Sequence, residues 1–244
     1  MSGLGHYCDH RFFATTAMNN TMNYALNNSP SEEFSDLCYI DLKSDDPYDL
    51  FNDWYKEACK FSTGLPAALC LATVSKDLKV SARHVVLRRI EEDGFVVYTD
   101  NRSRKAKELT ENPAAAMCFL WAYVNDKNQR IARQVRIEGD VVVADKESIA
   151  KLYEKDKLFA KIRSYICPQD QEVDWGELKA KHDKLLNEVR LNKKSLPMPD
   201  HYVGYKLVPT AIEFYYARDT LIGDRILFER DSPSSSWMHK RIAA

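Results

Sequence analysis

The sequence predicts a mainly β fold of the α+β class: an antiparallel barrel with helices at its periphery. Two observations carry this. Apolar runs of strand length follow one another without long helices between them, which favours antiparallel pairing over the helix-linked strands of a parallel sheet. Within residues 80–87 the side chains also alternate, Ala82, His84 and Val86 against Arg83, Val85 and Leu87, as a half-buried strand requires. At 244 residues the chain is long enough to bury a full core in one domain.

Residues 1–36 are rich in Asn, Thr, Ser and Met and lack periodicity, and they read as a disordered tail ahead of a single domain over 37–244. A mitochondrial presequence is the competing reading. Arg11 is the only arginine there and Asp9 breaks the acid-free pattern such leaders prefer. At residue 46 the signals sharpen. Asp46 is a capping type, Pro47 suits a first helical position, and Leu50, Phe51, Trp54, Tyr55 and Ala58 make an apolar stripe.

Residues 67–74 read as a buried strand. A hairpin follows, with strands at 80–87 and 95–98 joined by an acidic turn in which Gly94 is expected at positive φ. Residues 114–121 and 134–143 are further strands, separated by a polar stretch at 125–130. Helical spacing returns at 146–155 and 174–190, the second with Trp175, Leu178, His182, Leu185, Leu186 and Val189 along one side. His182 there reads as a surface or partly packed side chain. Pro197 and Pro199 then break the helix, and strands at 202–208, 211–216 and 225–229, with a short run near Trp237, complete the set.

Composition excludes several function classes. Thirty-five basic residues against 36 acidic ones leave no overall pull toward nucleic acid, so any anion site must be local. The six cysteines are not closely spaced, which argues against zinc and thioredoxin-like motifs and for reduced thiols. No apolar run has the length of a membrane span, and the cytosol is the expected compartment. A Rossmann glycine fingerprint and a Walker A loop are both absent, so a nucleotide cofactor would bind by other means.

One stretch offers such means. After the second hairpin strand come the capping types Thr99, Asp100, Asn101 and Ser103. Arg104, Lys105 and Lys107 then fall in the first turn of a helix expected to reach Leu109. Open backbone N–H groups beside fixed cations suit a phosphate. On charge alone the same run also reads as a solvated helix face. The ordered set Ser81-Ala82-Arg83, Tyr98-Thr99, Ser103-Arg104-Lys105 and Arg133-Gln134-Val135-Arg136-Ile137-Glu138-Gly139 resembles the pyridoxine (pyridoxamine) 5'-phosphate oxidase family. The likeness runs from about Pro47 to the C-terminus.

The resemblance implies a split β-barrel homodimer with one flavin mononucleotide (FMN) in each of two clefts between subunits. It assigns Arg83, Arg104 and Lys105 to the cofactor phosphate, with further contacts from His84, Val85, Val86, Tyr98 and Thr99. Gln134 should reach the ring, Gln169 falls near a second family glutamine, and Arg225 matches the last flavin-contacting arginine. Tyr215 stands where the family has tryptophan. For the substrate phosphate, Arg88 replaces a family lysine, Tyr153 is retained and Lys157 replaces an arginine; the family's serine falls on Ala160 or Lys161. An Arg-x-His pair over the substrate ring becomes Leu221 and Gly223, and a short N-terminal lid motif has no counterpart. Between Trp121 and Arg133 the chain is longer than the family, consistent with an extended hairpin loop.

The function implied is an FMN-dependent oxidase that converts pyridoxamine or pyridoxine 5'-phosphate to pyridoxal 5'-phosphate with oxygen, yielding hydrogen peroxide. A second reading keeps the flavin but has a different substrate or a non-catalytic binding role. A third is an all-β interaction domain without cofactor, which flavin absorbance would separate from the other two.

Overall fold

The structure is a computed structural model that describes residues 35–191 and 193–244. The expected tail over 1–36 therefore lies almost wholly outside the described residues. Six strands form the barrel: β1 (Ala68–Val74), β2 (Val80–Glu91), β3 (Gly94–Asp100), β4 (Ala114–Val124), β5 (Arg130–Val143) and β6 (Tyr202–Arg218). Their order is β3-β2-β1-β4-β5-β6, every pairing is antiparallel, and β3 pairs with β6 to close the ring. Beyond β6 the sheet continues through β7 (Asp224–Glu229) and β8 (Met238–Ile242). The mainly β, antiparallel expectation is met.

Alternation builds the core. Leu69 and Leu71 of β1, Met117 and Phe119 of β4, Val135 and Ile137 of β5, and Ile212 and Phe214 of β6 are all buried on the inner face. Each such side chain contributes about 1.5–3 kcal/mol of apolar burial. Helix α1 (Pro47–Phe61) adds to this core. Asp46 caps it by accepting the Tyr48 N–H, and Phe51 meets Phe95, Phe119 and Trp121 at ring-centroid distances of 4.9, 5.3 and 5.7 Å. Four more helices are present among the described residues: α2 (Arg104–Glu111), α3 (Lys146–Glu154), α4 (Leu158–Ile166) and α5 (Trp175–Arg190).

Several local expectations are corrected. Gly94 has no positive φ; a Cβ there would lie 2.5 Å from the Leu207 carbonyl, so close backbone approach to β6, and not turn geometry, demands glycine. The segment between Trp121 and Arg133 is not a long loop. The β4–β5 ladder runs out to Val124 opposite Arg130, and only 125–129 turn, with the Asn125 side chain accepting the Lys127 and Gln129 N–H groups and Asn128 at φ 57°. The two strands expected over 202–216 are one. Pro209 sits within β6 opposite Gly139, where the register shifts and the missing N–H is tolerated. On α5 the expected apolar side is partly covered: Leu185 is buried, Leu178, His182, Leu186 and Val189 are half-buried, and only Trp175, 74 % exposed, lies open.

Candidate functional site

The inner face of β2 presents Ser81, Arg83 and Val85 toward α2, and Thr73 of β1 and Glu108 of α2 complete a polar knot. Glu108 is 5 % exposed. Its carboxylate accepts from Thr73 Oγ1 at 2.5 Å, Ser81 Oγ at 2.7 Å, Arg104 Nε at 2.8 Å and Arg83 Nη2 at 3.0 Å. Burial pushes its pKa up, but the hydrogen bonds from Thr73, Ser81, Arg104 and Arg83 outweigh it and hold the group at about 2. Arg83 is also tied down by the Leu71 carbonyl at 3.2 Å and Thr73 Oγ1 at 2.5 Å. Arg83 and Arg104 thus already have an internal counter-ion.

Lys105 does not. Its Nζ donates to Thr99 Oγ1 at 3.1 Å, and among the described residues no carboxylate lies within ion-pair distance of it. Burial lowers its pKa most, Arg83 and Arg163 lower it further, and the Asp100 and Asp170 carboxylates oppose this only in part. A half-buried ammonium beside two guanidinium groups favours an incoming anion. At the start of α2, Ser103 makes no capping bond through its side chain, which leaves first-turn N–H groups without a side-chain acceptor.

Lys105 opens onto a cleft of about 410 Å3. Of the residues expected to hold a cofactor, Arg83, His84, Val85, Val86, Tyr98, Thr99, Lys105 and Gln169 line it, and Arg104 lines an adjoining hollow that shares Arg83, Lys105 and Gln169. Tyr98 contributes a buried hydroxyl with no hydrogen-bond partner. Arg88, expected on the substrate side, lines the same cleft, with its guanidinium 5.1 Å from the Tyr98 ring centroid. Tyr153 lies behind, buried, its hydroxyl 3.1 Å from Ser164 Oγ. Lys157 is an exposed residue at the N-cap of α4 and does not line the cleft.

Gln134, Tyr215 and Arg225 are elsewhere. They form a cross-strand row on β5, β6 and β7, with Gln134 opposite Tyr215 and Tyr215 opposite Arg225, whose guanidinium lies 5.4 Å from the tyrosine ring centroid. Arg225 Nε is buried without a hydrogen bond. One chain therefore carries two separate groups of expected flavin residues. Gly223 backs onto this row: a Cβ there would lie 2.5 Å from the Tyr215 ring.

Residues 56–182 match the family described as pyridoxamine 5'-phosphate oxidase, and 202–244 match the pyridoxine 5'-phosphate oxidase C-terminal dimerisation region. The chain is 35 % identical to the pyridoxine/pyridoxamine 5'-phosphate oxidase of Leptospira interrogans over 84 % of its own length and 91 % of the relative's. For the enzyme of that name from Salinibacter ruber the identity is 33 %, over 83 % and 91 %. The chain belongs to the pyridoxamine 5'-phosphate oxidase family.

Solved structures agree on the split-barrel fold. PhzG from Burkholderia lata 383, in complex with tetrahydrophenazine-1-carboxylic acid, superimposes with a TM-score of 0.71 at 27 % identity, covering 83 % of this chain and 94 % of that one. A pyridoxamine 5'-phosphate oxidase-related, FMN-binding protein from Nostoc punctiforme gives 0.63 at 18 %, covering 82 % and 98 %. Within this oxidase-family cleft, sequence reasoning missed Arg163, Ser164, Tyr202 and the Asp156 carboxylate behind Arg88. Ser164 puts a hydroxyl beside Tyr153 one helical turn beyond Lys161, where the sequence offered none. Only the position of α4 against α3 could have located it.

Proposed function

We propose that this chain is an FMN-dependent oxidase of the pyridoxamine 5'-phosphate oxidase type, acting on pyridoxamine or pyridoxine 5'-phosphate as a homodimer. The observation that carries the reading is Lys105, a partly desolvated cation without a carboxylate partner at the wall of a ring-sized cleft. The residues fit FMN: Lys105, Arg104 and the open turn of α2 would take its phosphate, and the orphaned Tyr98 hydroxyl would gain a partner. Bound there, FMN supplies the hydride acceptor and the electron route to oxygen. The chain's own residues bind and orient. Arg88, Tyr153 and Ser164 position the substrate's phosphate end, and Tyr98 and Tyr202, with ring centroids 5.7 Å apart, form an aromatic wall that excludes water.

The row Gln134, Tyr215 and Arg225 lies outside this cleft, and a second copy of the chain would bring it to the flavin ring, a reading supported by the match of 202–244 to a dimerisation region. A different substrate is the second reading, favoured by Leu221 and Gly223 at the ring-facing positions and by the carboxylic acid held by PhzG. Both keep the flavin. Titration of apo protein with FMN should give saturable quenching of flavin fluorescence at one equivalent per chain, with sedimentation as a dimer. A protein that takes up no FMN would refute both.

A further inference from the structure

Most charges around the cleft are committed within the chain. Arg83 and Arg104 donate to Glu108, Arg88 donates to Asp156, and Lys161 donates to the Glu154 carbonyl while its ammonium lies 5.4 Å from the Tyr153 ring centroid. The two carboxylates that act on Lys105 are engaged as well: Asp100 accepts from Arg102 at 2.9 and 2.5 Å, and Asp170 accepts from Lys107 at 2.9 Å. Arg163 is different. It stands on α4 beside the Ser164 that meets Tyr153, and it lines the same cleft as Lys105. Its side chain is exposed, and among the described residues it makes no ion pair and donates no hydrogen bond. All five donors of that guanidinium are open to a ligand.

Phosphate is expected at two ends of this cleft. The flavin end is built from Lys105 and the start of α2, the substrate end from Arg88, Tyr153 and Ser164. The charge of Arg163 is felt at the flavin end, where it adds to burial and Arg83 in depressing Lys105; at the substrate end the Tyr153 pKa is raised by burial, with Ser164 and Asp156 as the other influences. A phosphate monoester carries about −1.5 to −2 at neutral pH, more than the one uncompensated charge of Lys105 balances. We propose that Arg163 is a cofactor-binding residue: it donates to the FMN phosphate from α4, while Lys105 and the first turn of α2 hold the same group from α2. Its planar fork can meet two phosphate oxygens at once, which an ammonium cannot. This rests on the FMN reading above and deepens it with a cation that none of the resembling motif positions supplies.

The test is titration of apo protein with FMN, followed by flavin fluorescence, in Arg163→Met, Arg163→Lys and parent. Melting temperatures of the three apo forms should agree, because Arg163 has no partner to lose. Arg163→Met should weaken FMN binding about tenfold, the value of one charge-assisted contact, and Arg163→Lys should recover part of that loss. Raising the salt concentration should weaken FMN binding less steeply in Arg163→Met than in the parent, since one fewer exposed cation is there to be screened. A second arm saturates each form with FMN and titrates pyridoxal 5'-phosphate against the flavin spectrum, with affinity expected to change less than about twofold. FMN affinity equal in parent and Arg163→Met overturns the proposal and leaves the FMN reading standing; if pyridoxal 5'-phosphate alone then binds more weakly, Arg163 belongs to the substrate phosphate instead. Weaker FMN binding that lysine does not rescue and salt does not modulate also overturns it, as loss of local structure. A parent protein that takes up no FMN refutes the reading beneath it and the proposal together.

Discussion

Lys105→Ala lowers FMN affinity by roughly one to two orders of magnitude, the value of one charge-assisted hydrogen bond to phosphate, and leaves the apo protein as stable as the parent or slightly more so. Its ammonium donates to the Thr99 hydroxyl and is desolvated near Arg83 and Arg163, which together outweigh the attraction of Asp100 and Asp170, so removing it costs the apo state little. Isothermal titration with FMN and urea denaturation of the apo form measure the two halves. Arg104→Ala should cost less affinity, because Arg104 is 60 % exposed and shares its charge with Glu108. The pH dependence follows. The Lys105 pKa is depressed, so the protonated form that grips phosphate is lost at lower pH than for an ordinary lysine, and FMN affinity should fall as pH rises through that value. Equal affinity in Lys105→Ala and parent would show that this cation is only a solvated group.

Glu108→Ala destabilises the fold by about 3–5 kcal/mol, the usual consequence of removing one member of a buried ion pair. Four donors converge on this carboxylate, and Arg83 and Thr73 would lose their shared acceptor. Urea unfolding with unchanged slope is the measurement. Glu108 also links stability to pH. Its folded pKa of about 2 lies below the usual 4.5, so its contribution is fully present above about pH 4.5 and is lost as pH falls toward 2. Glu108→Gln should flatten the stability profile across that window. A profile identical to the parent's would remove Glu108 as the organiser of the site.

Much of the fold could be read from the sequence where local pattern and tertiary environment agree. The alternation of β2 and the Asp46–Pro47 start of α1 are of this kind, since one buried face and one cap determine each. The misses have the opposite character. α4 follows an N-cap residue, Lys157, whose side chain makes no capping bond, and it buries only Ile162, so little in its sequence announces a helix. Pro209 divided β6 on paper because the bulge that accommodates it, with Thr210 unpaired between Pro209 and Ala211, shows only in the pairing with β5. At the site, the residues proposed to meet phosphate were legible because Tyr98 through Lys105 is a contiguous strand-to-helix segment. Asp156, Ser164 and Tyr202 were not. They reach Arg88 and Tyr153 only through the packing of α3, α4 and β6, and an ion pair across 68 residues leaves no local signature.

If the cleft holds FMN as proposed, a bound vitamer passes its hydride to the flavin there. Mixing FMN-loaded protein anaerobically with pyridoxamine 5'-phosphate, while following flavin absorbance, tests this most directly. The oxidised flavin bands should bleach as pyridoxal 5'-phosphate forms and recover when oxygen is admitted. Flavin that stays oxidised under saturating pyridoxamine and pyridoxine 5'-phosphates, in protein with full FMN content, would contradict it.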